Sequence, residues 1–233
     1  VSTIVEFSRK LGKTPIVVKD ACGFLINRIL VPYLNEAGFM LEEGMRFETI
    51  DKCITDFGMP MGPFRLLDEI GLDIGFKVAK ILEEGFGERM SVCPVLNTIY
   101  EKKLFGKKTK KGFYIYENKK ETPNSEIYTL FTPKTKRASS DDDIVMRIVC
   151  IMINEAARCL EEGICSEPSD VDIGMIMGTG FPPFRGGLLR YADSLGAETI
   201  VAKLQGFQKQ LNALRFAPCE YLQTLAEKKG KFY

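Results

Sequence analysis

The chain has 233 residues, 45% of them apolar, and 32 basic side chains against 31 acidic ones give a formal net charge of +1. That length can bury one large core or two small ones, and the near-neutral balance excludes a general basic face for nucleic acid. Histidine is absent, which excludes a Ser-His or Cys-His nucleophile pair, a His-ligated zinc site and a His general base within these residues.

In chain order, the first twenty residues read as the end of an α/β layer. Ile4, Val5, Phe7 and Leu11 recur near helical spacing up to Gly12, and Pro15 to Lys19 is a short β-branched run suited to an edge strand. From Phe24 to Glu43, the residues Ile26, Ile29, Leu30, Tyr33, Leu34, Ala37 and Leu41 fall on one side of a helix that Gly44 stops and Pro32 bends. A shorter helix is expected from Glu48 to Phe57, ended by Gly58, and another from Ile74 to Glu84, closed by Gly85. Phe113 to Tyr116 suits a short strand or an extended aromatic tail. Residues 118–139, rich in Asn, Lys, Glu, Thr, Pro and Ser and broken by Pro123 and Pro133, read as a flexible connector. A new helix then starts at Ser140 to Asp143, an S-x-x-D cap with three acids at the positive helix end, and Val145, Ile148, Val149, Met152, Ala156, Cys159 and Leu160 line one face. Pro168 suits the first position of the next helix and Gly178 its end.

These elements come in two copies. Asn35-Glu36-Ala37 and Leu41-Glu42-Glu43-Gly44 recur as Asn154-Glu155-Ala156 and Leu160-Glu161-Glu162-Gly163. Ile50-Asp51 matches Val171-Asp172, and the Gly58 to Arg65 turn matches Gly178 to Arg185. Counting back from the shared Asn-Glu-Ala, Asn27-Arg28 aligns with Met146-Arg147. Arg28 and Arg147 therefore read as scaffold. Asn27 has two readings: an amide that caps the helix or binds a loop carbonyl, or one whose partner exists only in the first copy.

Other chemistry is sparse. The sequence has no G-x-G-x-x-G, G-x-x-x-x-G-K-[ST] or G-x-S-x-G, and Gly178-Thr179-Gly180 runs into Pro182-Pro183. Seven cysteines without a C-x-x-C pair suit free core thiols in a reducing compartment. No apolar stretch suits a membrane span, Val1 to Lys13 lacks a signal-peptide pattern, and Lys231-Phe232-Tyr233 is no peroxisomal tripeptide.

The residues Asp20-Ala21-Cys22-Gly23-Phe24-Leu25-Ile26-Asn27-Arg28, Pro32 to Ala37, Gly58-Met59-Pro60-Met61-Gly62-Pro63-Phe64 and Leu67 to Asp73 together resemble the C-terminal part of L-3-hydroxyacyl-CoA dehydrogenases. The second copy, with Gly180 to Gly187, resembles the extra repeat of multifunctional fatty-acid β-oxidation proteins, most of all the α subunit of the trifunctional type. The resemblance spans nearly the whole chain. It implies a mainly α fold of two tandem helical repeats of the hydroxyacyl-CoA dehydrogenase C-terminal type. Residues 1–19 would be a remnant of a Rossmann domain, 20–117 the substrate-side repeat, 118–139 a linker and 140–233 a structural repeat packed on the first about an approximate two-fold.

By the same resemblance the reaction is NAD-dependent oxidation of (S)-3-hydroxyacyl-CoA in fatty-acid β-oxidation. NAD and a His-Glu pair would belong to a Rossmann domain outside these residues, leaving the chain inactive alone. Asn27 would assist at the substrate oxygen or orient the catalytic histidine. Met59 and Met61 would wall the acyl chain, or else fill core gaps. Lys102, Lys103, Lys107, Lys108, Lys110 and Lys111 would meet CoA phosphates, or form a solvated face open to an acidic partner or anionic lipid. Implied partners are acyl-CoA, the Rossmann domain, an enoyl-CoA hydratase domain and a thiolase subunit. No nucleic acid is expected, membrane contact would be at most peripheral, and the setting would be a bacterial cytoplasm or mitochondrial matrix rather than the exterior. Two rivals stand beside this reading: a helical docking or dimerisation module without a catalytic role, and the helical half of a 6-phosphogluconate-like dehydrogenase. The second would want a lysine between Asp20 and Glu43, where none occurs.

Overall fold

The computed structural model describes residues 1–133 and 139–233. Helix α1 (Ser2–Lys10) has no buried residue, and Ile4 and Phe7 stand in solvent. The first copy follows as α2 (Ile26–Glu42), α3 (Phe47–Phe57), α4 (Pro63–Ile70), α5 (Leu72–Phe86) and α6 (Pro94–Glu101), then a hairpin of β1 (Tyr114–Glu117) and β2 (Lys120–Pro123). The second is α7 (Asp141–Glu161), α8 (Pro168–Thr179), α9 (Leu188–Leu195), α10 (Ala197–Leu211) and α11 (Glu220–Glu227).

Local chemistry explains the main boundaries. Ser140 caps α7 by accepting the Asp143 amide at 3.1 Å while its hydroxyl donates to the Asp143 carboxylate at 2.9 Å. Helix α2 runs through Pro32 and becomes the most buried element of its copy. It packs on α7, and residues from both, among them Ile29, Ala37, Met40, Ile148, Ile153 and Ala156, share one core.

The two copies are tied by reciprocal charge pairs. Arg28 reaches Glu155 and Glu162, while Arg147 reaches Glu36 and Glu43. Arg89 pairs with Glu155 and Arg215 with Glu36. Each arginine thus neutralises a glutamate of the other copy, the pattern of a self-complementary two-fold interface built into one chain. The arginines are scaffold, as expected, but they bind across the copies rather than within them.

Within each copy the same clamps recur. Asp51 accepts the amides of Phe64 and Arg65 and the Tyr114 hydroxyl, as Asp172 accepts those of Leu189, Arg190 and Tyr233. Asp68 holds the amides of Phe113 and Tyr114, as Asp193 holds those of Phe232 and Tyr233.

The Pro15 to Lys19 run pairs with no strand among the described residues and is anchored by the Lys19 amide, which donates to the Ile164 carbonyl at 2.8 Å. Other expectations need correcting. Gly85 does not close α5, which runs on to Phe86 and is capped by Gly87. The flexible connector expected at 118–139 does not hold for its first part. β2 pairs antiparallel with β1 around an Asn118-Lys119 turn with both φ positive, Ile127 is fully buried, and Tyr128 stacks on Phe47 at 5.4 Å. Apolar Ile127, Tyr128 and Leu130 supply a buried face that the polar composition around them masks. Residues 134–138 of that connector lie outside the described residues. Helix α8 ends one residue later than expected, with Gly180 as its left-handed cap.

Finally, the shared Pro-Phe-Arg motif does not mark equivalent positions. Pro63 opens α4, whereas Pro183–Arg185 is a separate 3-10 turn and Leu188 opens α9. The inserted turn serves the first copy instead: the Arg185 guanidinium donates to the Phe57 carbonyl at 3.0 and 3.1 Å, capping α3.

Candidate active site

The groove of interest forms where the chain turns from the extended segment into α2. Gly23 and Phe24 lie one after the other at φ 73° and 50°, a double left-handed step that only glycine takes without cost. A side chain at Gly23 would come within 2.7 Å of Leu82, so this position needs glycine for space as well. The strained step leaves Phe24 54% exposed and directs Ile26 and Leu25 inward. Ile16, Val18 and Gly23 to Asn27 then line an open groove of about 260 Å³, mostly apolar.

Asn27, the second residue of α2, is exposed on this groove and makes no side-chain hydrogen bond among the described residues. It neither caps the helix nor holds a loop carbonyl there. Leu25 precedes the helix without a side-chain cap, the Arg28 amide donates to the Gly23 carbonyl at 3.3 Å, and the amide of Asn27 stands at the positive end of the helix. Side-chain amide and helix end together favour an oxygen bearing partial negative charge. The residue that aligns with Asn27 in the second copy, Met146, is buried in the core.

Arg28, one residue on, points the other way and is fully buried. Burial opposes its charge, but Glu162, Glu155 and their hydrogen bonds outweigh it and hold the guanidinium protonated above its ordinary range. The same Arg28 contact holds the Glu162 carboxyl below its ordinary value. The groove wall is therefore braced from behind by an ion pair to the other copy.

The remaining candidates lie elsewhere. Met59 is sealed in the core, and Met61 lines a separate polar groove with Asp51, Arg65, Tyr114 and Glu121. Neither lines the groove of Asn27, so the expected acyl wall is not made by these methionines; the thioether of Met59 fills space among core side chains instead. In the lysine cluster, Lys107 pairs with Glu69, Lys108 with Asp73 at 2.6 Å, and Lys111 with Glu126. Half of the cluster is thus engaged by acids of the same copy.

Two carboxyls with raised pKa, Asp51 and Asp68, went unremarked as chemistry in the sequence. Burial drives each up to about 6, against the pull of the amides and tyrosine hydroxyls that bind them. The matching clamps of Asp172 and Asp193 in the second copy mark them as structural. What the sequence did miss at the groove is its apolar lining, Ile16, Val18 and Phe24; the β-branched run at 15–18 was the available signal. Among the described residues the only sheet is the β1–β2 hairpin. The described residues therefore hold no strand–loop–helix cradle for a dinucleotide, and they do not fit NAD. No helix among them is long and apolar enough to cross a membrane.

Comparison with known proteins bears on this geometry. The family described as 3-hydroxyacyl-CoA dehydrogenase, C-terminal domain, matches residues 23–116 and again 144–231. Over 233 residues the chain is 45% identical to the fatty acid oxidation complex subunit alpha of Vibrio campbellii, covering all of this chain and 33% of that protein. It is 46% identical to the subunit of the same name from Shewanella loihica, again with 100% and 33% covered. The chain thus spans about a third of the length of these relatives. Among solved structures, 3-hydroxybutyryl-CoA dehydrogenase of Escherichia coli K12 superposes with a TM-score of 0.83 over 98% of this chain and 64% of that one, at 22% identity, a likeness of fold. The dehydrogenase part of multifunctional enzyme 1 from C. elegans gives 0.69 over 96% and 52%, at 26% identity.

Proposed function

The chain belongs to the family of the 3-hydroxyacyl-CoA dehydrogenase C-terminal domain, matched twice along its length, and on that premise we propose that its first copy is the substrate side of an NAD-dependent (S)-3-hydroxyacyl-CoA dehydrogenase of fatty-acid β-oxidation. One observation carries the reading: an exposed amide without a partner, Asn27, stands on an apolar groove where the second copy buries a methionine.

In the reaction, the C3 hydroxyl loses its proton to a base and the C3 hydrogen leaves as hydride, giving 3-ketoacyl-CoA. NAD supplies the hydride acceptor. The chain has no histidine and its described residues do not cradle a dinucleotide, so the base and the NAD site belong to polypeptide outside these residues. What this chain supplies is orientation and polarity. The Asn27 N–H donates to the C3 oxygen as it gains negative charge, or to the base beside it, with the uncapped first turn of α2 adding a positive field. The apolar walls Ile16, Val18, Phe24 and Ile26 take the acyl chain and keep water from the reacting carbon. The second copy, without the amide, is the structural repeat. This reading places the chain in a larger assembly, with Rossmann and hydratase domains and a thiolase subunit as its partners, in a bacterial cytoplasm or mitochondrial matrix.

The test is Asn27→Ala in the longer protein that carries this chain. Loss of one oxyanion donor lowers kcat by about 10²-fold or more with a smaller change in KM. Unchanged kcat for 3-hydroxyacyl-CoA sinks the proposal and leaves the docking-module reading.

A further inference from the structure

We propose that Gly174 and Gly178 of α8, in the copy that lacks the amide, are positioning residues for Asn27. The inference rests on the reading of Asn27 given above and goes beyond it by assigning part of the site to the second copy.

The first turn of α2 lies against α8. A methyl group at Gly174 would stand 2.8 Å from the Ile26 Cδ1 and 3.1 Å from the Ile16 Cδ1, and one at Gly178 would stand 3.3 to 3.5 Å from three Ile26 side-chain carbons. Ile26 immediately precedes Asn27, and Ile16 and Ile26 both line the groove. The two glycines, four residues apart and hence on one face of α8, let these side chains sit down on the helix backbone. The height at which they sit fixes the height and roll of the α2 first turn, and with it the direction of the amide. The Lys19 amide bound to the Ile164 carbonyl at 2.8 Å holds the Ile16 side of the groove to the same copy.

Comparison of the copies supports the assignment. Taking Asp51 with Asp172 as the common point, Gly174 and Gly178 correspond to Cys53 and Phe57 of α3, both buried side chains. Where α3 carries bulk, α8 carries none, and the difference falls where the helix bearing the exposed amide is seated. In the reciprocal place Met146 is core. A scaffold requirement alone would apply to both copies.

The experiment is a double-mutant cycle in the longer protein, with Asn27→Ala measured in parallel. Alanine is a better helix former than glycine, so the substitutions do not weaken α8 themselves. Gly174→Ala lifts the α2 start and lowers kcat about tenfold, with KM for the CoA thioester changed less than about twofold and the thermal midpoint held. In the Ile26→Val background, where Cδ1 is absent, the penalty of Gly174→Ala shrinks to less than about threefold, because the clashing atom is gone. Gly178→Ala, with its looser contacts, gives a smaller loss in the same direction and carries the test if the Gly174 variant does not fold. Normal kcat in both alanine variants overturns the inference, and so does a penalty equal in the Ile26 and Ile26→Val backgrounds. If Asn27→Ala is slow while both glycine variants are normal, only the positioning role falls; if Asn27→Ala turns over normally, the catalytic reading falls and takes this inference with it.

Discussion

Arg28 of α2 and Glu162, just past the end of α7, form a two-pronged ion pair, each terminal guanidinium nitrogen 2.7 Å from its own carboxylate oxygen. The guanidinium also lies 4.6 Å from the Phe86 ring centre and is fully buried, whereas the Glu162 side chain is 42% exposed. The partners are therefore unequal. Arg28→Ala empties a fully buried site and leaves Glu155 with Arg89 alone, a loss of about 2–5 kcal/mol as for other large buried side chains, while Glu162→Ala lets Arg28 keep Glu155 and costs less. Urea unfolding measures both, and equal losses would contradict the assignment.

Asn154 bridges two backbone groups ahead of α11, donating to the Ala217 carbonyl and accepting the Cys219 amide, each at 2.9 Å. Asn35 makes the same bridge ahead of α6, to Ser91 and Cys93 at 2.7 Å. Losing Asn35 leaves the buried Cys93 amide and the Ser91 carbonyl without this partner, whereas losing Asn154 strands the buried Cys219 amide while the Ala217 carbonyl keeps the Arg158 guanidinium at 2.7 Å. Asn154→Ala and Asn35→Ala should each cost about 1–3 kcal/mol, and hydrogen exchange at the Cys219 and Cys93 amides respectively should quicken. Slow exchange at those amides in the variants would refute the bridging role.

The Asp51 carboxyl, raised to about 6 chiefly by burial and further by Asp68, binds its proton more tightly folded than unfolded. Its contribution to stability is therefore complete below about pH 4 and lost as pH rises through about 6. Relative to Asp51→Asn, which cannot ionise, the unaltered protein should lose up to about 3 kcal/mol of unfolding free energy between pH 4 and 7. Urea titrations of both proteins across that range read the difference. No pH-dependent difference between the two proteins, or a relative gain by the unaltered one as pH rises, overturns the assignment.

Gly62 and Gly187 lie against the two equivalent aspartates. An added Cβ would come within 2.3 Å of the Asp51 backbone at Gly62 and within 2.3 Å of the Asp172 carboxyl carbon at Gly187. Gly187 also has φ at 118°, forbidden to alanine without strain, whereas Gly62 has an ordinary φ of −74°. Gly62→Ala should cost about 1–3 kcal/mol by overpacking, and Gly187→Ala more, by the added strain. Thermal unfolding in the reverse order would show that the backbone term is misplaced.

The helices with strong apolar spacing, α2, α3 and α7, were legible in the sequence because each buries one stripe and is bounded by glycine or a capping serine. So was the pairing of copies, since Asn-Glu-Ala and Leu-x-Glu-Gly recur at a fixed offset. What the sequence hid is contact between distant residues. Nothing in Arg28 or Arg147 alone says that each binds the other copy's glutamates, and the shared Pro-Phe-Arg letters mask a turn inserted before Leu188. At the site, Asn27 stood out because its counterpart is methionine. The groove beside it did not, because Ile16, Ile26 and Gly174 are brought together only by packing between copies. Met59 stood open between an acyl wall and a core filler, and burial makes it the filler.

The core shared by α2 and α7, with the cross-paired arginines and glutamates around it, makes the two halves thermodynamically inseparable. Cleaving the connector would leave the noncovalent assembly intact, but pulling the halves apart would open that single apolar core to water and break each of these ion pairs. Denaturation should accordingly proceed as one all-or-none transition, with the innermost amides of α2 and α7 becoming labile to deuterium together and only when the entire molecule opens.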